Sequence, residues 1–99
     1  MAIDPEELKQ HASEACKLLK ALSNESRLLI LCLLSQKELS VSEINVHLEI
    51  SQSALSQHLA ILRHDGLVET RRDSQVIYYS LAQGAAAQLI ETLHSIYCD

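Results

Sequence analysis

The chain has 99 residues, of which 47% are hydrophobic and 21% charged, a composition that fits one ordinary globular domain spanning residues 1–99. Its longest apolar run, LLILCLL at residues 28–34, is far shorter than the roughly 18 to 20 residues that a membrane-spanning helix needs. The acidic start MAIDPEELKQ lacks the basic and apolar segments of a secretory signal, and an odd number of cysteines does not suggest a disulfide framework. These features predict a cytoplasmic protein without a membrane segment.

The first two predicted helices supply much of the apolar surface. Pro5 stands where a first helical turn tolerates proline, and apolar residues recur at helical spacing over residues 5–21. Ser23 or Asn24 can cap a second helix, whose leucines and Cys32 make it apolar on nearly every side. The second helix is therefore expected at the centre of the core.

Two closely spaced helices are predicted next. Ser40 followed three residues later by Glu43 is a capping-box pattern that opens a short helix. Ser51 can cap the following helix over residues 51–64, and Gly66 supplies its C-terminal stop. Because only a short connection separates them, these two segments predict a helix-turn-helix.

The pattern changes from helical to strand-like after this pair. Residues 67–72 and 75–81 are rich in β-formers and are joined by a turn at Asp73 and Ser74, which predicts a β-hairpin. Helical spacing then returns over residues 85–98. The order α-α-α-α-β-β-α predicts a mainly α fold with a small β-hairpin, a winged helix-turn-helix.

The helix over residues 51–64 has an unusual polar face. Its apolar residues Ala54, Leu55, Leu59, Ile61 and Leu62 share one arc, whereas the opposite arc carries short hydroxyl and amide side chains. Gln can pair bidentately with adenine, Ser can bond to base or phosphate, and short side chains let a helix lie deep in the major groove. We therefore predict DNA contacts from Ser40, Ser51, Gln52, Ser53, Ser56, Gln57, His58, Arg71, Arg72 and Gln75.

Two observations keep alternatives open. His58 lies beside Ala54 on the inner arc, where packing with a local hydrogen bond is favoured over base contact. The net charge of −5 opposes the phosphate backbone, although the charges between residues 51 and 81 sum to zero. The alternative is a winged-helix protein-interaction module without DNA or redox function. An enzyme is not expected, and no cofactor, because no Gly-rich phosphate loop or paired-carboxylate motif is present.

Three successive segments resemble the ArsR/SmtB family of winged-helix repressors. They read LLKALSNESRLLILCLL, ELSVSEI and SQSALSQHLAILRHDGLVETRRDSQVIYYSL, and the match covers nearly the entire chain. The resemblance implies a homodimer, paired mainly through the first and last helices. It also implies binding to an inverted-repeat operator in double-stranded DNA and release by an inducer.

The metal sites of this family are not matched. Arsenic and cadmium sensors carry Glu-Leu-Cys-Val-Cys-Asp-Leu, and the corresponding ELSVSEI has Ser40 and Ser42 in place of both thiolates. The last helix offers only Glu91 and His94 near its end, without the upstream Asp-x-His pair of the zinc and nickel sensors. No metal site is predicted, since neither set can close a tetrahedral zinc site.

Two cysteines match a different branch of the family. Taken alone, Cys32 is a small hydrophobe and Cys98 a terminal thiol. The HlyU/BigR/SqrR-like branch, which senses reactive sulfur or oxidants, carries a cysteine pair at these two places. The resemblance thus implies a redox switch between Cys32 and Cys98, direct or through added sulfur, with a reactive sulfur species or an oxidant as inducer. Cys16 has no counterpart in that pair and is interpreted as a packing or surface residue.

Overall fold

The structure, a computed structural model, describes residues 4–98, which form five helices and three strands. The predicted domain of residues 1–99 thus extends past the described residues at both ends. No helix within 4–98 is long and apolar enough to cross a membrane. Helices α1 to α5 span Pro5–Leu22, Glu25–Leu34, Val41–His47, Gln52–His64 and Ala85–Tyr97, and strands β1 to β3 span Leu39–Ser40, Val68–Asp73 and Val76–Leu81.

Side-chain caps fix where the first two helices begin. The Asp4 carboxylate accepts a hydrogen bond of 3.0 Å from the Glu6 backbone N–H and so caps α1. Of the two candidate caps for α2, the structure uses Asn24, whose side-chain oxygen accepts from the Arg27 N–H at 3.0 Å. The Arg27 guanidinium then donates to the Ala21 carbonyl at 2.8 Å, which ties the start of α2 to the end of α1.

Helix α2 lies at the centre of the core, as predicted. Its Ile30, Leu31 and Leu34 are buried, although Leu29 is 46% exposed, so the helix is not enclosed on every side. The buried hydrophobic side chains that pack together are Leu22, Ile30, Leu31, Leu34, Leu39, Ile44, Leu55, Leu59, Leu62, Val68 and Ile90.

Ile61 is the one residue of the predicted inner arc of α4 that the structure places differently. It is 41% exposed, whereas Leu55, Leu59 and Leu62 are fully buried. These three leucines at i, i+4 and i+7 define the buried stripe, and Ile61 lies about 100° around the helix from Leu62. It therefore faces an open groove that Leu18 also lines.

The β-hairpin is present, and a third strand extends it. Strands β2 and β3 pair antiparallel from Val68↔Leu81 to Asp73↔Val76, with Ser74 at positive φ in the turn. Strand β1 pairs with β3 through Leu39↔Tyr79 and Ser40↔Tyr78, giving the order β1-β3-β2. The two-residue β1 was not predicted because so short a segment carries no periodic signal. The fold is a winged helix-turn-helix, and β1 attaches the wing to the start of α3.

Candidate nucleic-acid interface

Reciprocal hydrogen bonds hold the start of α3. The Ser40 hydroxyl accepts from the Glu43 backbone N–H at 3.2 Å, and the Glu43 carboxylate accepts from the Ser40 N–H at 2.9 Å. The backbone N–H of Ser40 is the main cause that lowers the pKa of Glu43 below its ordinary value. Between the two helices, the Asn45 side chain donates to the Ile50 carbonyl at 3.1 Å. The capping-box prediction is thus confirmed. The hydrogen bond from Asn45 to Ile50 stabilises the turn that sets α4 against α3.

Helix α4 presents a polar face to solvent. Its cap is Ser51, whose hydroxyl accepts from the Ala54 N–H at 3.1 Å. Leucines hold one side of the helix in the core, so the opposite side is exposed to solvent. The side chains on this outer face that were predicted to contact DNA are all exposed: Gln52, Ser53, Ser56 and Gln57.

His58 lies on the flank of α4 and not on its outer face. The side chain is half-buried, and its Nδ1 atom is buried without a hydrogen-bond partner within residues 4–98. This position agrees with the packing alternative over base contact. The local hydrogen-bond partner that the packing alternative expected is not found in that part of the chain.

A shallow cleft brings three separate predicted residues together. Ser40 at the start of α3, Gln52 in the first turn of α4 and Gln75 in the hairpin turn all line it. Ser42, which was not among the predicted contacts, lines the same cleft with its hydroxyl 3.3 Å from that of Ser40. Its spacing of two residues from Ser40 in ELSVSEI was the available signal.

A second groove lies on another side of α4. Ser56 lines it together with Arg63 and His64 from the last turn of the helix. Arg63 and His64 were assigned to the outer arc of α4 but not to the predicted contacts. They add basic groups next to the polar face, since both side chains are exposed.

The two wing arginines have different surroundings. Arg71 donates from Nε to both Glu38 carboxylate oxygens at 3.2 and 3.1 Å, and from Nη2 to Oε1 at 2.6 Å. Arg71 also lies 4.8 Å above the centre of the Tyr78 ring. Arg72 instead donates from Nε to the Ser74 carbonyl at 3.0 Å. Glu38 was not predicted, because the ion pair joins residues 33 positions apart. Tyr78 was not predicted either, although it faces Arg71 across the hairpin.

The ion pair alters the acid–base properties of both partners. Hydrogen bonding from Arg71 lowers the pKa of the Glu38 carboxyl, and the same hydrogen bonds raise the pKa of the Arg71 guanidinium. Asp73 adds a second carboxylate at 4.0 Å from Nη1 of Arg71. The charge of Arg71 is therefore offset by Glu38, just before β1, and by Asp73 in the wing.

Cys32 and Cys98 lie on two helices that pack against each other. Cys32 is half-buried in α2, and Cys98 is exposed at the end of α5, where its N–H donates to the His94 carbonyl at 2.8 Å. Burial is the larger cause that raises the pKa of Cys32, and the charge of a Cys98 thiolate is the second. Cys16 is exposed on α1, far along the sequence from both.

Helices α1 and α5 leave large apolar side chains uncovered. Leu8 and Leu19 of α1 are 53% and 54% exposed, and Ile96 and Tyr97 of α5 are 64% and 80% exposed. In α1, only Ala21 and Leu22 at its end are buried. Exposed apolar surface of this kind is typical of a protein–protein interface.

A braced helix-turn-helix, a second helix with an exposed amide and hydroxyl face, and an adjoining wing define the DNA-binding class of winged-helix regulators. Residues 24–70 match the family model of the arsR family of bacterial regulatory proteins. The chain is 52% identical to the transcriptional activator HlyU of Vibrio cholerae over 95% of this chain and 87% of that protein. It is 45% identical to the biofilm growth-associated repressor of Agrobacterium fabrum, over 92% and 78% of the two chains. The chain therefore belongs to the arsR family, whose members are DNA-binding transcriptional regulators and not enzymes.

Solved structures of similar proteins support the same family assignment. Reduced HlyU from Vibrio cholerae superposes with a TM-score of 0.90 at 51% identity, over 95% of this chain and 99% of that one. A homodimeric winged helix-turn-helix DNA-binding domain from Mycobacterium bovis superposes with a TM-score of 0.79 at 31% identity, over 97% and 89%. These likenesses confirm the predicted family and its HlyU/BigR-like branch.

Proposed function

We propose that this protein is a homodimeric repressor that binds an inverted-repeat operator and loses DNA affinity when Cys32 and Cys98 are oxidised or persulfidated. The observation that carries the proposal is the exposed face of amide and hydroxyl side chains on α4, which adjoins a cleft shared by α3, α4 and the wing. A helix face that is merely solvated usually carries Lys and Glu. Here it consists of short side chains that can reach base edges.

Base readout is assigned to the outer face of α4. Gln52, Ser53, Ser56 and Gln57 are exposed side by side, so the helix can enter the major groove without a long side chain holding it away. The start of α4 at Ser51 points backbone N–H groups outward, an arrangement that favours phosphate. His58 is assigned to packing because it is half-buried.

Backbone contacts are assigned to the cleft and the wing. Gln75 lines the cleft with Gln52 and can bond to phosphate flanking the groove. Ser40 lines the same cleft but is only 6% exposed, so it contributes as the cap of α3. Arg72 supplies positive charge at the wing, since its two Nη nitrogens make no hydrogen bond with residues 4–98. The charges of residues 51–81 sum to zero, so one copy of the chain attracts the phosphate backbone only weakly. A dimer makes each phosphate contact twice.

The dimer is assigned to α1 and α5. Their exposed leucine, isoleucine and tyrosine side chains are apolar surface that a second copy would cover. The homodimeric relative from Mycobacterium bovis, with 31% identity, supports this assembly. A two-fold axis through these helices would set two α4 helices into successive major grooves, about 10 base pairs apart.

The redox step begins at Cys98, the exposed thiol. With a peroxide, the Cys98 thiolate attacks one oxygen, the O–O bond breaks, and a sulfenic acid and a hydroxyl product form. The Cys32 sulfur then displaces that oxygen as water and forms the disulfide, so the two thiols lose two electrons and two protons in all. The relative described as reduced HlyU is consistent with a protein whose oxidation state changes.

A persulfide gives an alternative route. The Cys98 thiolate takes the outer sulfur of a hydropersulfide and releases the other half as a thiol, leaving Cys98 persulfidated. If Cys32 is persulfidated in the same way, the two can condense to a trisulfide with loss of hydrogen sulfide. The added sulfur relaxes the requirement for Cα atoms within about 7 Å that a direct disulfide imposes.

Coupling to DNA follows from the position of α5. This helix would both hold the dimer and carry Cys98, so tying its end to α2 would shift one α4 relative to the other. A coupling free energy of only about 1–3 kcal/mol would be enough for a useful change in occupancy.

A gel-shift titration against the DNA upstream of the protein's own gene tests this function. We expect a retarded complex with the reduced protein, loss of the complex after treatment with a hydropersulfide or a peroxide, and recovery with dithiothreitol. The rival, a winged-helix module that binds another protein, predicts no complex in any state. A complex that is indifferent to oxidation would retain the DNA-binding proposal and overturn the redox proposal.

A further inference from the structure

Arg71 crosses the wing sheet from one edge to the other. It starts on β2 directly opposite Tyr78 of β3, and its guanidinium passes over the Tyr78 ring at 4.8 Å. It ends on Glu38, the residue immediately before β1 at the far edge of the sheet. One side chain therefore contacts all three strands or their immediate continuation.

The position of Glu38 connects this contact to the DNA surface. Ser40, two residues further on, pairs with Tyr78 in the sheet and caps α3, so it belongs to both the wing and the helix-turn-helix. Within residues 4–98, two pairs of residues, both between β1 and β3, attach the hairpin to the start of α3. A bidentate contact from β2 to Glu38 therefore adds a third point of attachment for the wing.

In this structure the charge of Arg71 is paired with carboxylates, although its side chain is 54% exposed. Two of its nitrogens are bound to Glu38, and the third is 4.0 Å from Asp73. Arg71 with these two carboxylates makes a locally negative group, which would repel phosphate. Arg72 is the neighbouring arginine without such a partner among the described residues.

We propose that Arg71 is a positioning residue that clamps the wing to the start of α3 through Glu38, and that it does not deliver its charge to DNA phosphate. The inference rests on the proposed DNA-binding function and replaces the predicted DNA contact at Arg71. The clamp keeps Gln75 of the wing beside Ser40 and Gln52 in the cleft. Wing charge for the phosphate backbone then comes from Arg72.

The two roles predict opposite effects for Glu38→Gln. If Arg71 positions the wing, removal of the carboxylate loosens the clamp and weakens operator binding, by between about 2-fold and 30-fold, the range typical of residues that act through others. If Arg71 contacts phosphate, the same change frees its charge, removes a nearby negative group and strengthens binding. Anisotropy titrations on the duplex bound by the parent protein would measure the sign.

The salt dependence separates the two arginines. We expect Arg71→Gln to weaken binding as much as Glu38→Gln while leaving the slope of log affinity against log salt unchanged. The matched control, Arg72→Gln, should lower that slope by about one, as the loss of one phosphate contact does. A slope lowered by about one in Arg71→Gln would overturn the proposal.

A charge exchange tests the pair without changing the net charge. We expect the double variant Glu38→Arg with Arg71→Glu to bind DNA more tightly than either single variant, because it restores a cross-sheet ion pair. If position 71 touched phosphate, the carboxylate there would make the double variant bind more weakly than Glu38→Arg, which keeps Arg71. Amide hydrogen exchange of the free proteins should show faster exchange in the wing of Glu38→Gln and slower exchange again in the double variant.

The outcomes distinguish the clamp from the DNA-binding function. If the parent protein binds no upstream DNA, the proposed function fails and the clamp's role in it fails too. If the parent binds and Glu38→Gln binds as tightly or more tightly, only the clamp is overturned.

Discussion

Gln52 and Gln75 line the same cleft although one begins helix α4 and the other lies in the turn of the wing. Their convergence joins the polar face of α4 to the wing in one surface. Within this surface, two kinds of contact can be tested independently: readout of bases by α4 and contact of the wing with the DNA backbone.

Replacement of Gln57 by Ala should relax sequence preference. If Gln57 makes a bidentate base contact, the variant loses about 1–3 kcal/mol of discrimination between the operator and a single-base mutant of it. Competition titrations with the two duplexes measure this quantity. Arg72→Ala is the control, because it should weaken both duplexes alike. Equal losses from both variants with preference unchanged would remove the base-readout assignment.

Replacement of Leu19 by Glu should disrupt the dimer. Leu19 is 54% exposed on α1, and a carboxylate there would be buried between two copies. We expect the parent to sediment as a dimer at micromolar concentration and the variant largely as a monomer with weaker DNA binding. Val46→Glu is a matched control, since Val46 is 82% exposed on α3, outside the proposed interface. A monomeric parent would contradict the assembly.

Replacement of either cysteine of the pair should abolish the response to oxidant. Cys32→Ser and Cys98→Ser should bind operator DNA normally and ignore a peroxide or hydropersulfide, whereas Cys16→Ser should still respond. Gel shifts before and after treatment measure this, and mass spectrometry identifies the bridged peptides. Release of Cys98→Ser by the oxidant as readily as the parent would rule out the two-cysteine mechanism.

The order of thiol reactivity is a separate prediction. Burial and the neighbouring Cys98 raise the pKa of Cys32, so a smaller fraction of Cys32 is thiolate at neutral pH. Alkylation with iodoacetamide at pH 7 should label the exposed Cys98 faster than Cys32, and labelling of Cys32 should accelerate as the pH rises. Peptide mass spectrometry over a time course follows both sites. Faster labelling of Cys32 at pH 7 would assign the first attack to the other thiol.

Loss of the cap on α3 should destabilise the protein. Ser40→Ala removes the hydroxyl that accepts from the Glu43 N–H, and loss of such a cap costs about 0.5–2 kcal/mol in the free energy of unfolding. Urea denaturation measures the change. Ser56→Ala, at an exposed helical site whose hydroxyl makes no hydrogen bond within residues 4–98, should change stability little. Equal stability losses in the two variants would contradict the role of the cap.

The same cap has a pH dependence of known sign. Because the folded pKa of Glu43 is lowered, its contribution to stability is complete above the unfolded pKa and is lost as the pH falls through the folded value. NMR titration of the Glu43 carboxyl carbon should therefore show protonation at lower pH in the folded than in the urea-unfolded chain. Titration at the same pH in both states would contradict the hydrogen bond to Ser40.

The sequence by itself determined the five helices, the β-hairpin and their order. Caps at Ser40 and Ser51, the stop at Gly66 and the change of period after it depend on neighbours within a few residues, so they can be read from the chain. The outward face of α4 was predictable for the same reason, because a helix of known period fixes which side chains share a side.

Only the tertiary structure decided what those elements meet. Strand β1, the ion pair of Glu38 with Arg71 and the cleft that Ser40 and Gln75 both line join residues more than thirty positions apart, and no local pattern encodes such contacts. Ile61 is exposed for a related reason, since a helical wheel gives directions but not the width of the surface that a neighbouring element covers. Local periodicity sets the direction of a side chain, whereas long-range packing sets its partner.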